Sequence, residues 1–185
     1  MKIVLIVEGL SDTIIFNMQR QWFESHGVDF QVISADGKSE MIKKAHKFYR
    51  TSILSGAQYV VFLPDQNGDT CALVTRQRVN VDSLPNATTI ALKRELEAWI
   101  LADRDCMNSA IDPNYHTSGQ TDSIQYPKDI LFSIIERKKG YRPTTAEAAK
   151  MVAPLFSIDR ASVANTSTKR FKHYIEHRVT ASEQS

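Results

Sequence analysis

Ile3 to Val7 reads IVLIV, an unbroken apolar run with no polar residue to turn toward water on either side. A strand of this kind must be covered on both faces, as a central strand of a parallel sheet is. Ser11 and Asp12 then bring helix N-cap chemistry. Ile14, Ile15, Met18, Trp22 and Phe23 recur with helical spacing, and Gly27 suits a helix stop. The same alternation continues. Residues 28–33 are expected as a second strand, Asp36-Gly37 as a turn, and Met41, Ile42, Ala45, Phe48, Tyr49 and Ile53 as the stripe of a helix closed by Gly56. Residues 58–63 are expected as a third strand, residues 71–79 as a short helix and residues 87–92 as a fourth strand. Strands and helices alternating in this way predict an α/β fold, a parallel sheet of about four strands with right-handed crossovers.

The division expected is a core over 1–105, a polar connecting segment over 106–126, and a helical, basic extension over 127–185 packed on the core. In the extension, Pro127 suits the first turn of a helix ending at Gly140, Thr144 with Glu147 forms a capping box, and residues 167–178 make a last helix. Charge divides the same way. Residues 1–135 hold 13 Lys/Arg against 16 Asp/Glu, whereas 136–178 hold 10 against 4, so the back half offers either a footing for phosphates or simply a solvated helical face. No apolar run approaches the ~20 residues of a membrane span, and no secretory pattern opens the chain. Cys71 and Cys106 lack zinc or disulfide spacing. A cytoplasmic protein without a membrane partner is expected.

Ligands of open parallel sheets bind beyond the carboxyl ends of the strands. Here those positions are acidic: Glu8 after the first strand, Asp65, Asn67 and Asp69 after the third, Glu95 and Glu97 after the fourth. Oxygen donors of this kind suit Mg²⁺ or Mn²⁺. Each also has an ordinary reading as turn or first-turn helix chemistry, and it is their shared position that points to a site. Residues two apart lie on different sides of a helix, so only one of Glu95 and Glu97 is expected to face it, and Glu97 is preferred.

Val4 to Gly9, VLIVEG, with Ser11-Asp12 opening the next helix, resembles the first motif of the Toprim domain found in topoisomerases, primases and related nucleases. Asp65-Gln66-Asn67 resembles that family's Asp-X-Asp pair. Glu95 to Asp103, ELEAWILAD, and Ser167 to Phe171, STKRF, resemble a bacterial Toprim-like family of unknown function whose members are often encoded beside ATPases in phage-defence settings. The resemblance implies a Rossmann-like Toprim fold over roughly residues 1 to 105. It also implies Mg²⁺-dependent phosphodiester chemistry on nucleic acid, DNA or RNA, possibly as effector of an ATPase partner. Glu8, Asp65 and Glu97 would be the catalytic acids, and the metal would be held among Glu8, Asp65, Asn67, Asp69, Glu95 and Glu97. The sequence departs from the pattern at Asn67, where the family has a second Asp. An amide oxygen can still bind a cation but removes one charge, which Asp69 is placed to restore. An inactive binding module of the same fold is the alternative.

Three other motifs fail on their own terms. A calcium loop from Asp65 would need Gly at Thr70 and Glu at Arg76, and a P-loop ending at Gly37-Lys38-Ser39 would need Gly at Val32. His173 to His177 matches H-x-x-E-H, yet only Glu183 follows as a third zinc ligand. The same helix presents Lys169, Arg170, Lys172 and Arg178, the expected nucleic-acid-binding residues.

Overall fold

The computed structural model describes residues 1–117 and 119–182. Four strands, β1 (Lys2–Val7), β2 (Asp29–Ser34), β3 (Tyr59–Leu63) and β4 (Ala87–Thr89), form one all-parallel sheet in the order β2-β1-β3-β4. The architecture is α/β and Rossmann-like, as the strand–helix alternation predicts. β1 lies between β2 and β3, so the connections leave it in opposite directions and the sheet has its switch point between the ends of β1 and β3.

The strand pattern explains the layering. Ile3, Leu5, Val7, Val61 and Leu63 face one core cluster, and Val4, Ile6, Val60 and Phe62 face the other. The smaller cluster is closed by α3 (Lys38–Leu54), through Met41 and Ala45, and by Val79 of α4 (Ala72–Val79). α1 (Leu10–Met18) and α2 (Arg20–Ser25) lie on the other face with the later helices. These are α5 (Glu97–Ala102), α6 (Arg104–Ala110), α7 (Pro127–Lys139), α8 (Thr145–Val152), α9 (Ile158–Ala164) and α10 (Thr166–Ser182), with a 3-10 turn at Thr121–Ser123. Ile135, Val152, Ile158, Phe171 and Ile175 are buried in the same cluster as Leu5.

Several local expectations change. The single helical stripe from Ile14 to Phe23 is broken at Gln19, whose buried amide donates to the Phe156 carbonyl 3.0 Å away. That tertiary hydrogen bond fixes the bend between α1 and α2, which periodicity alone does not reveal. The cap of α1 is Gly9 rather than Ser11 or Asp12, and the Gly9 N–H donates to Asp12 Oδ2 at 3.0 Å. β4 is shorter than expected, although Leu92 still bridges to Asp65 and extends the sheet edge. The connecting segment contains a helix, α6, capped by Asp103 through the Cys106 N–H at 3.1 Å. Thr144 and Glu147 form the expected capping box, and Gly140 takes the left-handed conformation at φ 79°.

The two most specific sequence motifs meet as a structural joint. Trp99 of α5 is fully buried, its Nε1 donates to Ser167 Oγ at 2.7 Å, and Ser167 Oγ also accepts the Lys93 N–H at 3.1 Å. Asn165 Oδ1 accepts from the Thr168 N–H and from Ser167 Oγ, capping α10. Phe171 then packs against Trp99, Phe16 and Phe23, with ring centroids 5.5 to 6.3 Å apart. At the other end of α5, Asp103 is sealed from solvent and held by a bidentate pair from Arg160 (2.7 and 2.9 Å) and by the Ser157 N–H at 2.7 Å. ELEAWILAD and STKRF therefore dock α9 and α10 onto the sheet-facing helix. Only Glu97 of these stretches faces the site described next.

Candidate functional site

Val7 pairs with Leu63, so the residues leaving β1 and β3 emerge side by side at the switch point. They are Glu8 and Asp65, and the Asp65 N–H donates to Glu8 Oε1 at 2.9 Å. Both line a cleft of about 630 Å³ together with Glu97, Lys128, the start of α1 at Gly9 to Thr13 and the turn at Ser34, Asp36 and Gly37. α5 contributes Glu97 from its first turn, where it is 9% exposed, and α1 contributes Asp12 from its own.

Five carboxylates line the cleft, Asp36 at its rim beside Glu8, Asp12, Asp65 and Glu97, and they leave negative charge under-compensated. Burial drives the Glu8 carboxyl up to about 7, with the nearby charges of Asp12 and Glu95 adding to the effect; the Asp65 N–H and the charge of Lys38 oppose it. Burial likewise brings Glu97 to about 7 and raises Asp12, the charge of Lys128 opposing both. Asp65 is raised well above the ordinary carboxylate range, first by burial and then by repulsion from Glu8, Asp12 and Glu97. Its Oδ1 is cut off from water and has no hydrogen-bond partner among the described residues. A buried carboxylate oxygen without a partner is costly to keep charged unless a proton or a cation meets it.

The other acids named from sequence are placed elsewhere. Asp69 accepts from Lys38 Nζ at 2.7 Å and from Thr75 Oγ1 at 2.8 Å, and lies 2.7 Å from Arg78. Burial works against its charge, but these partners outweigh it and hold its carboxyl below the ordinary range. Asp69 is thus neutralised, does not line the cleft and does not stand in for Asn67. Glu95 accepts the Lys128 N–H at 3.1 Å, which caps the start of α7, and takes a hydrogen bond from the Asn67 amide. Asn67 is exposed, outside the cleft lining, and its carbonyl accepts from Lys38 at 2.8 Å. Glu97, and not Glu95, faces the cleft.

The basic residues of α10 do not reach this site. Lys172 pairs with Asp159 at 2.7 Å and Arg178 lies over the rings of Tyr59 and Tyr174 at 5.0 and 5.1 Å. Lys169 and Arg170 are exposed, but none of the four lines the cleft. The cation that does, Lys128, comes from the N-terminus of α7. Lys128, Asp12 and Asp36 are the charged cleft residues that sequence reasoning did not assign to it. Asp12 carried a signal, standing four residues after Glu8 on the first turn of a helix. Lys128 carried none, because only the tertiary docking of α7 brings it there. His173 and His177 have ring centroids 6.3 Å apart, and Glu183 lies outside the described residues.

Among the described residues, no three His, Cys, Asp or Glu side chains are gathered into a ready-made metal-ligand set. The donor chemistry nevertheless suits a hard cation, since Glu8, Asp12, Asp65 and Glu97 offer only carboxylate oxygens and one is an orphan. No helix among the described residues is long and apolar enough to cross a membrane. Comparison with protein-family models, with curated proteins and with solved structures gives no match.

Proposed function

We propose that the chain is a Toprim-like, divalent-cation-dependent nuclease, or a related phosphoryl-transfer protein, that acts on nucleic acid, with Mg²⁺ or Mn²⁺ as cofactor. The observation that carries this reading is the unpartnered Asp65 Oδ1, buried at the switch point beside Glu8, Asp12 and Glu97. Asp65 and Glu97, with Asp12, would hold the cation. When bound, it would neutralise charge on a phosphate and lower the pKa of a water. Glu8, brought to about 7, is matched to accept or return a proton near neutral pH, and the Asp65 N–H orients it at 2.9 Å. Lys128 offsets acid charge on one wall and is the group there that attracts a phosphate. A role beside an ATP-hydrolysing partner in phage defence belongs to the same proposal.

The decisive assay incubates single- and double-stranded DNA and RNA with wild type, Glu8→Ala and Asp65→Ala in Mg²⁺ or Mn²⁺. Cleavage by wild type that both variants lose supports the reading, and equal activity in all three overturns it. A second reading, a Toprim-like module that binds nucleic acid or a protein without turnover, is favoured by Asn67, whose amide serves Glu95 instead of the cleft. It predicts salt-sensitive binding with no cation-dependent cleavage.

A further inference from the structure

Between β4 and α5 the backbone is strained at Arg94, which adopts φ 71°. Among the described residues, the other non-glycine positions with positive φ are Asp36, Asn80 and Asn86, the types that tolerate this region best. A long side chain gains nothing locally there, and such strain persists only where the surroundings over-determine it. They do. The Lys93 N–H is tied to Ser167 Oγ at 3.1 Å, and the Glu95 carboxylate is tied to Asn67 and to the Lys128 N–H. One residue is thereby forced outward between two anchored neighbours.

The side chain is also unspent. Arg94 is half-buried, its Nε is cut off from water, and its guanidinium has no hydrogen-bond or ion-pair partner among the described residues. That is unusual at an edge holding so many acids, and a buried guanidinium nitrogen without an acceptor is costly to maintain. Its position on the fold is defined by register. Leu92 bridges to Asp65 and Glu95 reaches Asn67, so Arg94 stands on the carboxyl edge between these two points, next to the cleft and outside its lining.

We propose that Arg94 binds a backbone phosphate of the nucleic-acid strand, the one adjacent to the phosphate handled in the cleft. The planar fork of a guanidinium matches phosphate oxygens in a bidentate way, and the two terminal nitrogens of Arg94, unlike its Nε, are not cut off from solvent and are free to take an anion. A residue outside the cleft that holds a second phosphate selects a polymer over a mononucleotide. This inference rests on the nucleic-acid reading above.

The test measures anisotropy of a labelled ten-nucleotide single-stranded DNA with Ca²⁺ present, over a series of NaCl concentrations, for wild type, Arg94→Lys and Arg94→Gly. Arg94→Gly is expected to lose about tenfold or more in affinity and to show a slope of log affinity on log salt shallower by about 0.7, one single-strand phosphate contact. Arg94→Lys should recover part of the affinity. Because glycine accepts φ 71° freely, Arg94→Gly should melt at or above the wild-type temperature. Wild-type affinity and slope in Arg94→Gly would overturn the proposal, as would a wild type that does not bind the strand or a glycine variant that melts well below it. Mg²⁺-dependent cleavage lost in Glu8→Ala but with strand binding indifferent to Arg94 removes this inference and leaves the nuclease reading standing. Arg94-dependent binding with no cleavage by wild type does the reverse.

Discussion

Asp65 and Asp103 are both aspartates just past a regular element and both inside a sequence motif, Asp103 sealed from water and Asp65 half-buried with one carboxylate oxygen cut off from it. Their surroundings are opposite. Asp103 accepts two hydrogen bonds from Arg160 and the N–H groups of Cys106 and Ser157, so its charge is fully answered. Asp65 faces Glu8, Asp12 and Glu97, with Oδ1 left without a donor. A buried acid whose partners are supplied by the fold serves the fold. A buried acid surrounded by its own kind keeps its coordinating oxygens available, and the fold is less stable for it.

The contrast can be broken most directly at the satisfied end. Asp103→Ala leaves Arg160 and two N–H groups without their acceptor and should destabilise the protein by about 3–5 kcal/mol, read from urea unfolding. A loss below about 1 kcal/mol would mean that the joint between α5 and α9 is not what that carboxylate is for. The orphaned end should respond with the opposite sign. Asp65→Asn removes one repelling charge from the cleft, and we expect it to raise stability by about 1 kcal/mol while abolishing cation-dependent cleavage. Destabilisation by Asp65→Asn would show that the carboxylate is already satisfied in the free protein.

The pH dependence follows from the same repulsion. Glu8 and Glu97 move from an ordinary 4.5 to about 7 in the folded protein. Between these values the folded state binds more protons than the unfolded state, so this contribution stabilises at low pH and is lost as pH rises from about 4.5 to about 7. Thermal melts should therefore show a falling contribution across that window, flattened in a Glu8→Gln, Glu97→Gln double variant. Mg²⁺ should raise the melting temperature more at pH 8 than at pH 5, because the cation replaces the lost protons. The smallest effect is expected at Glu95→Gln, about 0.5–1 kcal/mol from a weakened cap of α7, with cation binding unchanged. A large loss of cation binding there would move Glu95 into the site.

Much of this arrangement was legible in the chain. IVLIV had to be a doubly covered strand, and Glu8 and Asp65 could be placed at strand ends by counting apolar runs. That they touch depends on the order β2-β1-β3-β4, which puts the first and third strands side by side, a fact that no local pattern encodes. The choice of Glu97 rested on its place in the ELEAWILAD motif, and that only one of Glu95 and Glu97 would face the cleft could be argued from helical geometry. The diversion of Asp69 to Lys38, Thr75 and Arg78 could not, because those partners arrive from α3 and α4. Lys128 and the break at Gln19 were hidden for the same reason: each is fixed by a contact with a distant segment. Charge counting did not point to the cleft either. The basic surplus of the back half lies largely on α7 and α10, where Lys138 pairs with Asp112 and Lys172 with Asp159.

The central claim is that the cleft exists to hold a cation through Asp65. Calorimetric titration of Mn²⁺ at pH 7.5 into wild type, Asp65→Asn and Glu95→Gln tests it without requiring a substrate. The account predicts one saturable site in wild type and Glu95→Gln that Asp65→Asn abolishes. No saturable binding to wild type, or equal binding to Asp65→Asn, would contradict it.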